Sequence, residues 1–554
     1  MQKKQTILVV ASLLVVVLSV TLAYFTAQII GKEKNVTINS ADLKIIFTDS
    51  DGSISGTNIE PGKWDVTKTF TIENKSNETY KYNIVIQDLV NTFVTNGYLQ
   101  YKITSTNGGY NMTEFKDVPK SSVATDTILA YSASIDVGVT QTYTVQFIYK
   151  NDEEVDQSED MGKKLSGKLF ITEGTKEPVT LLSQILNDNP TRSTRSSNNN
   201  GTNDFATPLT TTTTGTLFTS TESIAGGTPK EVYYYAGNTT NNWVKFGTFA
   251  TDGPIRGYYN AAGTLSKEYT TLEECNSASS YNTNCSYAWR KGDQMYWRII
   301  RTNHDGSIRL LYSGTNPDTT EGHLGKSAFN TSYNSPKYVG YKYGEDTSLD
   351  TIRNNTTDSK IKTYVDNWYK NNLINYTKYL STSAVYCNDR SLGTGQTYST
   401  NSLFEFASYY RMDYNTNGAK ANPSYNCTDR RDAFSVDNTS AKLTYPVSLM
   451  TTDEMAFAGG VAYIKTNTSY AWFISNSAGS QVSSSWWSLS PDGWNGARSC
   501  VWRWDSDNAY LNIVDVGIDD AVRPVLSLKS CIKYSTGNGS SETPYEIVET
   551  SSGC

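Results

Sequence analysis

Histidine is almost missing from this chain. Only His304 and His323 occur in 554 residues, and neither lies near another Cys or His at metal-ligand spacing. That scarcity points away from zinc and iron sites, which draw on such clusters. Charge is also scarce, at 19% of residues with a net value of -7, so no basic patch singles out nucleic acid as a partner. Hydrophobic residues reach only 37%, and Asn, Ser, Thr and Tyr fill the difference, so solubility rests on uncharged polar side chains. Cysteine is absent before Cys275, and none of the seven cysteines forms a C-x-x-C pair, which argues against thioredoxin-like or metal chemistry. No repeat of solenoid period is visible. The length exceeds one ordinary core, so two or three domains are expected.

The one long apolar run extends from Ile7 to Phe25, behind Met1-Gln2-Lys3-Lys4, with Ser12, Ser19 and Thr21 as its polar breaks. It reads as either an export signal or a membrane anchor over residues 1–31, with the lysines holding the N-terminus in the cytoplasm and the rest outside. Cleavage after Ala23 gives a released product; without cleavage the helix is the link to the membrane. Cysteine usage agrees with export. Local spacing suggests Cys275 with Cys285, Cys387 with Cys427, and Cys531 with Cys554, leaving Cys500 alone.

Residues 32–176 alternate with period two in KWDVTKTFTIEN, YKYNIVIQDL, QTYTVQFIYK and KLSGKLFIT, separated by turn clusters, and read as an immunoglobulin-like β-sandwich. Asp49, Asp51, Ser53 and Glu60 match some positions of an EF-hand loop, but Ile54 stands where that loop requires glycine, which favours a hairpin turn. Residues 177–229 contain NDNPTRSTRSSNNNGTN and TPLTTTTTGT and read as a flexible Ser/Thr/Asn-rich linker. From 230 to 530 a hairpin is expected at Met295–Ile300 and Ile308–Tyr312. Ile361, Tyr364, Val365, Trp368, Tyr369 and Leu373 recur at helical spacing, and Thr452-Asp453-Glu454 starts a second helix. The expected class there is α+β with long loops, followed by a tail over 531–554.

The stretch Ser485–Lys529 holds five of the eleven tryptophans: Trp486, Trp487, Trp494, Trp502 and Trp504. Rigid rings among short polar groups suit a recognition surface. Trp486, Trp487 and Trp502 also sit beside apolar strand-like residues and suit a core equally well, whereas Trp494 and Trp504 sit among turn formers.

Two resemblances attach to quoted residues. Thr21-Leu22-Ala23-Tyr24-Phe25-Thr26 ahead of a strand-rich domain resembles the export region of camelysin and of biofilm-matrix fibre subunits of Gram-positive bacteria, which implies signal-peptidase cleavage, a cell-surface location and fibre assembly. YPVSLMTTDEMAFAGG, WWSLSP and AVRPVLSLK resemble the C-type lectin-like fold in the branch of formylglycine-generating enzymes, including the variable proteins of diversity-generating retroelements. That second resemblance implies a fixed apolar scaffold displaying a ligand face of Asp492, Trp494, Asn495, Arg498, Trp504, Asp505, Asn508, Tyr510, Asn512, Asp515 and Asp519. The ligand class is an extracellular protein or glycan, with no cofactor and no covalent step. An invariant lectin-like binder or a structural domain explains the same residues.

Calcium-dependent sugar binding lacks its Glu-Pro-Asn, Gln-Pro-Asp and Trp-Asn-Asp motifs here, and Asp505, Asp507, Asp515, Asp519 and Asp520 read first as solvated turn carboxylates. The expected function is therefore a surface-displayed, non-enzymatic binder. Two alternatives stand beside it: a matrix fibre subunit, and a thiol oxidase relying on Cys500 with Arg498 and Arg503 near it in sequence.

Overall fold

Alternation of apolar and polar residues dictates most of the backbone. In the strand Thr140–Tyr149, every second residue from Gln141 to Tyr149 is buried, so Tyr143, Val145, Phe147 and Tyr149 line one face. The computed structural model describes residues 34–40, 43–49, 53–56 and 60–554, apart from 176, 196–204, 206–208, 210–211, 259–264, 279–283, 413–420, 467–470 and 551–552. The chain divides into two compact units, Met1–Glu177 and Pro178–Cys554.

The first unit holds two antiparallel sheets. One runs in the order Lys34–Ser40, Leu43–Asp49, Trp64–Asn74, Thr140–Tyr149, Leu99–Ser105 and Lys116–Asp117. The other runs Ser53–Gly56, Leu165–Glu173, Tyr80–Asn91 and Ser121–Ile135. Phe70, Ile72, Tyr82, Ile84, Ile103, Val145 and Phe147 meet in one core. Tyr82 Oη makes hydrogen bonds of 2.5 Å with Gln141 Oε1 and with Tyr143 Oη, so the polar ends of these core residues satisfy one another. The hairpin turn expected around Asp49–Glu60 contains the strand Ser53–Gly56, and its remaining positions fall partly outside the described residues.

The second unit is built chiefly on an eight-stranded and a six-stranded sheet around one main core, with four smaller sheets and two small satellite clusters among the described residues. The first sheet is centred on the expected hairpin, Gln294–Thr302 against Ile308–Tyr312, and adds Pro524–Leu528 and Val447–Leu449 on one side. The second places Trp486–Trp494 beside Ser499–Asp505, which pairs in turn with Tyr510–Asp515. Its longest helix, Lys360–Asn372, buries Ile361, Val365, Trp368 and Tyr369 and is capped by Ser359, whose side chain accepts from the Lys362 amide. Thr452–Ala458 carries a capping box between Thr451 and Glu454 and ends at Gly459 with φ +118°. Three disulfides close, Cys275–Cys285, Cys387–Cys427 and Cys531–Cys554, as the spacing suggested, and such bonds are compatible with an oxidising, extracellular location.

The expected fold class, a membrane or signal helix, an immunoglobulin-like sandwich and an α+β lectin-like domain, is corrected. The protein is mostly β, with 39% strand and 13% helix. Helical periodicity is confined to short stretches, and the long Asn/Ser/Thr/Gly segments between them lack the apolar stripe a helix must bury. No helix among the described residues is long and apolar enough to cross a membrane, and the Ile7–Phe25 run lies outside the described residues.

The flexible linker expected over 177–229 is corrected as well. Leu181–Asp188 is a helix that sinks Leu181 and Ile185 into the core, and Thr216–Glu222 is a strand of the first sheet, paired with Thr191–Thr194 and Lys230–Tyr234. The tail over 531–554 pairs Tyr534–Thr536 with Glu546–Ile547, is closed by Cys531–Cys554, and also packs into the unit. Ile532 and Tyr545 are fully buried, and Tyr545 exchanges backbone hydrogen bonds with Trp243 and Lys245.

Candidate functional site

All five tryptophans of the C-terminal stretch face inward. Trp486, Trp487, Trp502 and Trp504 are at most 1% exposed and Trp494 is 4% exposed, so the expected aromatic recognition surface is corrected to a core. Every residue of Trp486–Trp494 is buried, which requires cover on both faces of the strand. Phe329 packs edge-on to Trp487 at 5.7 Å, Phe473 edge-on to Trp504 at 5.4 Å, and Tyr463 lies 6.0 Å from Trp502. Trp487 Nε1 donates to the Ser327 carbonyl at 2.7 Å. Nε1 of Trp494, Trp502 and Trp504 meets no acceptor among the described residues, so their side chains are held by packing rather than by a hydrogen bond.

The polar members of the expected face separate. Asp492 and Asp505 are buried with Trp494 and Trp504, and these four leave the display set. Asp505 is an internal brace: it accepts from Asn512 Nδ2 at 2.8 Å, from Arg503 Nη2 at 3.0 Å and from the Asp507 and Asn508 amides. Burial raises its carboxyl, but the hydrogen bonds from Asn512 and Asn508 and the Arg503 charge outweigh that and hold it at about 2.

Of the rest, Asn495, Arg498, Asn508 and Asp519 are exposed, and Tyr510, Asn512 and Asp515 are half-buried. They do not form one patch. Asn508 and Tyr510 belong to the turn between Ser499–Asp505 and Tyr510–Asp515, whereas Asn495, Arg498, Asp515 and Asp519 gather at the other end of those strands. Five residues of extended chain separate the ends by roughly 17 Å.

The end at Arg498 is the better-built of the two. Asn495 Oδ1 accepts from the Ala497 and Arg498 amides and shapes the turn. Arg498 Nη1 pairs with Asp515 Oδ2 at 2.9 Å, and its guanidinium lies 5.2 Å from the centre of the Tyr333 ring. Tyr333 and Ile518 are each 43% exposed, and the Tyr333 carbonyl accepts from the Ser499 amide, which ties its loop to the strand. Sequence reasoning missed Tyr333. An aromatic among the turn formers Ser332 and Asn334 was its signal, but it lies more than 150 residues before the tryptophan-rich stretch.

Cys500 lies beside this end, half-buried and unpaired. Burial, with the Asp492 and Asp515 charges, pushes its thiol up to about 12, against the thiolate that a nucleophile requires. Four of the five aspartates weighed for an ion are taken up by cations: Asp515 pairs with Arg498, Asp505 and Asp520 share Arg503, and Asp519 faces Lys360. Among the described residues no three His, Cys, Asp or Glu side chains converge to hold a metal.

A second, enclosed hollow lies under the Thr452–Ala458 helix, between Arg301, Arg309, Arg411 and Tyr425. Its charges pair internally. Glu222 binds Arg301 at 2.8 Å, Glu454 binds Arg301 at 2.8 Å and Arg309 at 2.5 Å, and Arg411 spans Asp453 and Asp389 at 2.7 and 2.8 Å. Tyr425 stacks under Arg301 at 4.3 Å. Such mutual satisfaction makes this network a brace for the helix. No protein-family model, curated protein or solved structure matches the chain, so what it does is argued from these side chains alone.

Proposed function

We propose that this chain is a non-enzymatic ligand-binding protein displayed outside the cell, with its contact surface at the Arg498 end of the C-terminal strands. The observation that carries this reading is the cluster of Tyr333, Arg498, Asp515 and Ile518. An exposed ring lies beside a guanidinium that is oriented by a carboxylate, with exposed Ile518 bonded through its amide to the Asp515 carbonyl, on strands whose tryptophans are buried. Aromatic and arginine side chains on a rigid base are the usual anchors of an interface, because little conformational entropy is lost when they bind. The three disulfides support an extracellular setting, and the raised Cys500 thiol supports binding without a covalent step.

The test is an array of extracellular proteins and glycans probed with the wild-type chain and with the triple variant Tyr333→Ala, Arg498→Ala, Ile518→Ser. Loss of specific signals with near-ultraviolet circular dichroism unchanged supports the reading; signals indifferent to the triple variant sink it. Retroelement diversification belongs to the same proposal. The supporting feature is exposed Asn495, Arg498 and Asn508 above a buried scaffold, and the check is the flanking DNA. A near-copy of the codons for residues 486–529 differing mainly at adenines, beside a reverse transcriptase gene, supports it, and absence of both removes it.

A further inference from the structure

Arg298 is a buried cation with no carboxylate. It lies in the strand Gln294–Thr302, is 2% exposed, and has no ion pair among the described residues. Its guanidinium is held by neutral groups: Nε donates to Asn242 Oδ1 at 2.6 Å, Nη2 to the Thr239 carbonyl at 3.0 Å and Nη1 to the Ser475 carbonyl at 3.4 Å. It rests 4.2 Å from the Trp243 ring and 5.6 Å from the Trp472 ring. Three residues along the same strand, Arg301 is clamped by two glutamates, so the fold places acids against a buried arginine elsewhere and omits them here.

A second arginine deepens the imbalance. Arg523, fully buried, donates only to the carbonyls of Tyr312, Gly322 and Phe473. Burial first, and then the Arg523 charge, push Arg298 down to about 9. Two like charges taken from water without a counter-ion are costly, and an anion placed beside them recovers part of that cost.

There is space for such an anion beside Arg298, though Arg523 does not reach it. Arg298 and Trp243 line an open hollow of about 510 Å³, solvent included. Apart from Arg298, Trp243 and Gly479 its wall is hydroxyl and amide: two threonines and three serines, Ser541 among them, supply the former, Asn238 and Asn476 the latter. Asp318, outside the wall, is engaged by Ser477 Oγ and, through its carbonyl, by Asn476 Nδ2.

We propose that this hollow is a binding site for a small hydroxyl-bearing carboxylate of the sugar-acid class, its carboxylate directed at Arg298 and its hydroxyls at the Thr, Ser and Asn wall. Guanidinium groups recognise carboxylates through charge-assisted hydrogen bonds, and wall hydroxyls whose own bonds run within the protein, such as those of Thr239 and Ser475, keep oxygen lone pairs that accept from ligand hydroxyls. The site shares no residue with the Tyr333–Arg498 cluster, and its failure leaves that reading untouched.

The experiment is isothermal titration calorimetry on the full chain with sodium glucuronate, glucose and sodium acetate. Glucuronate is expected to bind saturably, with glucose and acetate each about tenfold weaker or worse, the loss expected when a charged or a multiple hydrogen-bonding partner is withdrawn. Because Arg298→Gln risks the fold, the principal variant is Thr240→Tyr, at an exposed rim position, which plugs the hollow. It should weaken glucuronate by about tenfold or more at an unchanged unfolding midpoint. Absence of saturable binding, equal binding of acetate, or wild-type affinity in Thr240→Tyr would each overturn the assignment.

Discussion

Tryptophan in this chain stabilises more than it recognises. Trp502, fully buried between strands and flanked by Tyr409 and Tyr463, is expected to cost about 3–5 kcal/mol when replaced by alanine, because the lost burial is compounded by a cavity. Arg498→Ala, at a screened surface pair, should stay within about 0.5–1 kcal/mol. Urea unfolding of the two variants checks both; similar losses would contradict the division between core and display residues. Cys500 gives a second prediction at this scale. With its thiol pushed up to about 12, alkylation by iodoacetamide at pH 8 should lag far behind that of a free cysteine, and mass spectrometry of the labelled peptide measures the difference. Fast labelling would reopen thiol chemistry at this position.

Elements are tied together by charge and by sulfur. Glu222 lies in the strand Thr216–Glu222 and reaches Arg301, while Glu454 on the Thr452–Ala458 helix reaches the same guanidinium. Burial raises the Glu222 carboxyl, but Arg301 and the His304 hydrogen bond prevail and hold it at about 2, below its ordinary value of 4.5. A depressed carboxyl contributes stability that is fully present above the ordinary value and is lost as pH falls through the folded one. Stability should therefore decline between about pH 4.5 and 2, and Glu222→Gln, though less stable throughout, should show a shallower decline in that window. Denaturant melts across pH measure the slope. The Cys387–Cys427 disulfide closes a segment of 40 residues. Its replacement by two serines should cost about 4 kcal/mol by the loop-entropy estimate, read as a lowered unfolding midpoint.

At the scale of the whole molecule, a main core in each of the two compact units implies two cooperative units. Fragments 32–177 and 178–554, expressed apart, should each unfold in a single transition, and calorimetry would show it. A second fragment that folds only when begun near residue 230 would contradict the inclusion of Leu181–Asp188 in its core. Much of the local order was legible in the residues. Period-two runs such as QTYTVQFIYK are strands, Ile361 to Leu373 mark the longest helix, Thr451 and Glu454 cap another, and short spacings between cysteines indicated three bridges. These patterns are local, and neighbouring backbone geometry is enough to express them.

Which side of a strand meets solvent was another matter. Alternation identifies two faces, but Trp494, Trp504, Asp492 and Asp505 lost their exposure to distant chain: Phe473 packs on Trp504, and the strand Phe404–Glu405 pairs along the edge at Trp494. The polar segment read as a linker was drawn in by similarly remote partners, with Glu222 meeting Arg301 and Leu181 entering the main core. Strands, caps and bridges can thus be read from the residues alone, since they depend on near neighbours. Which aromatics are buried and which arginines lack a counter-charge follows from the folded arrangement, because burial and electrostatic balance are set by what packs across space.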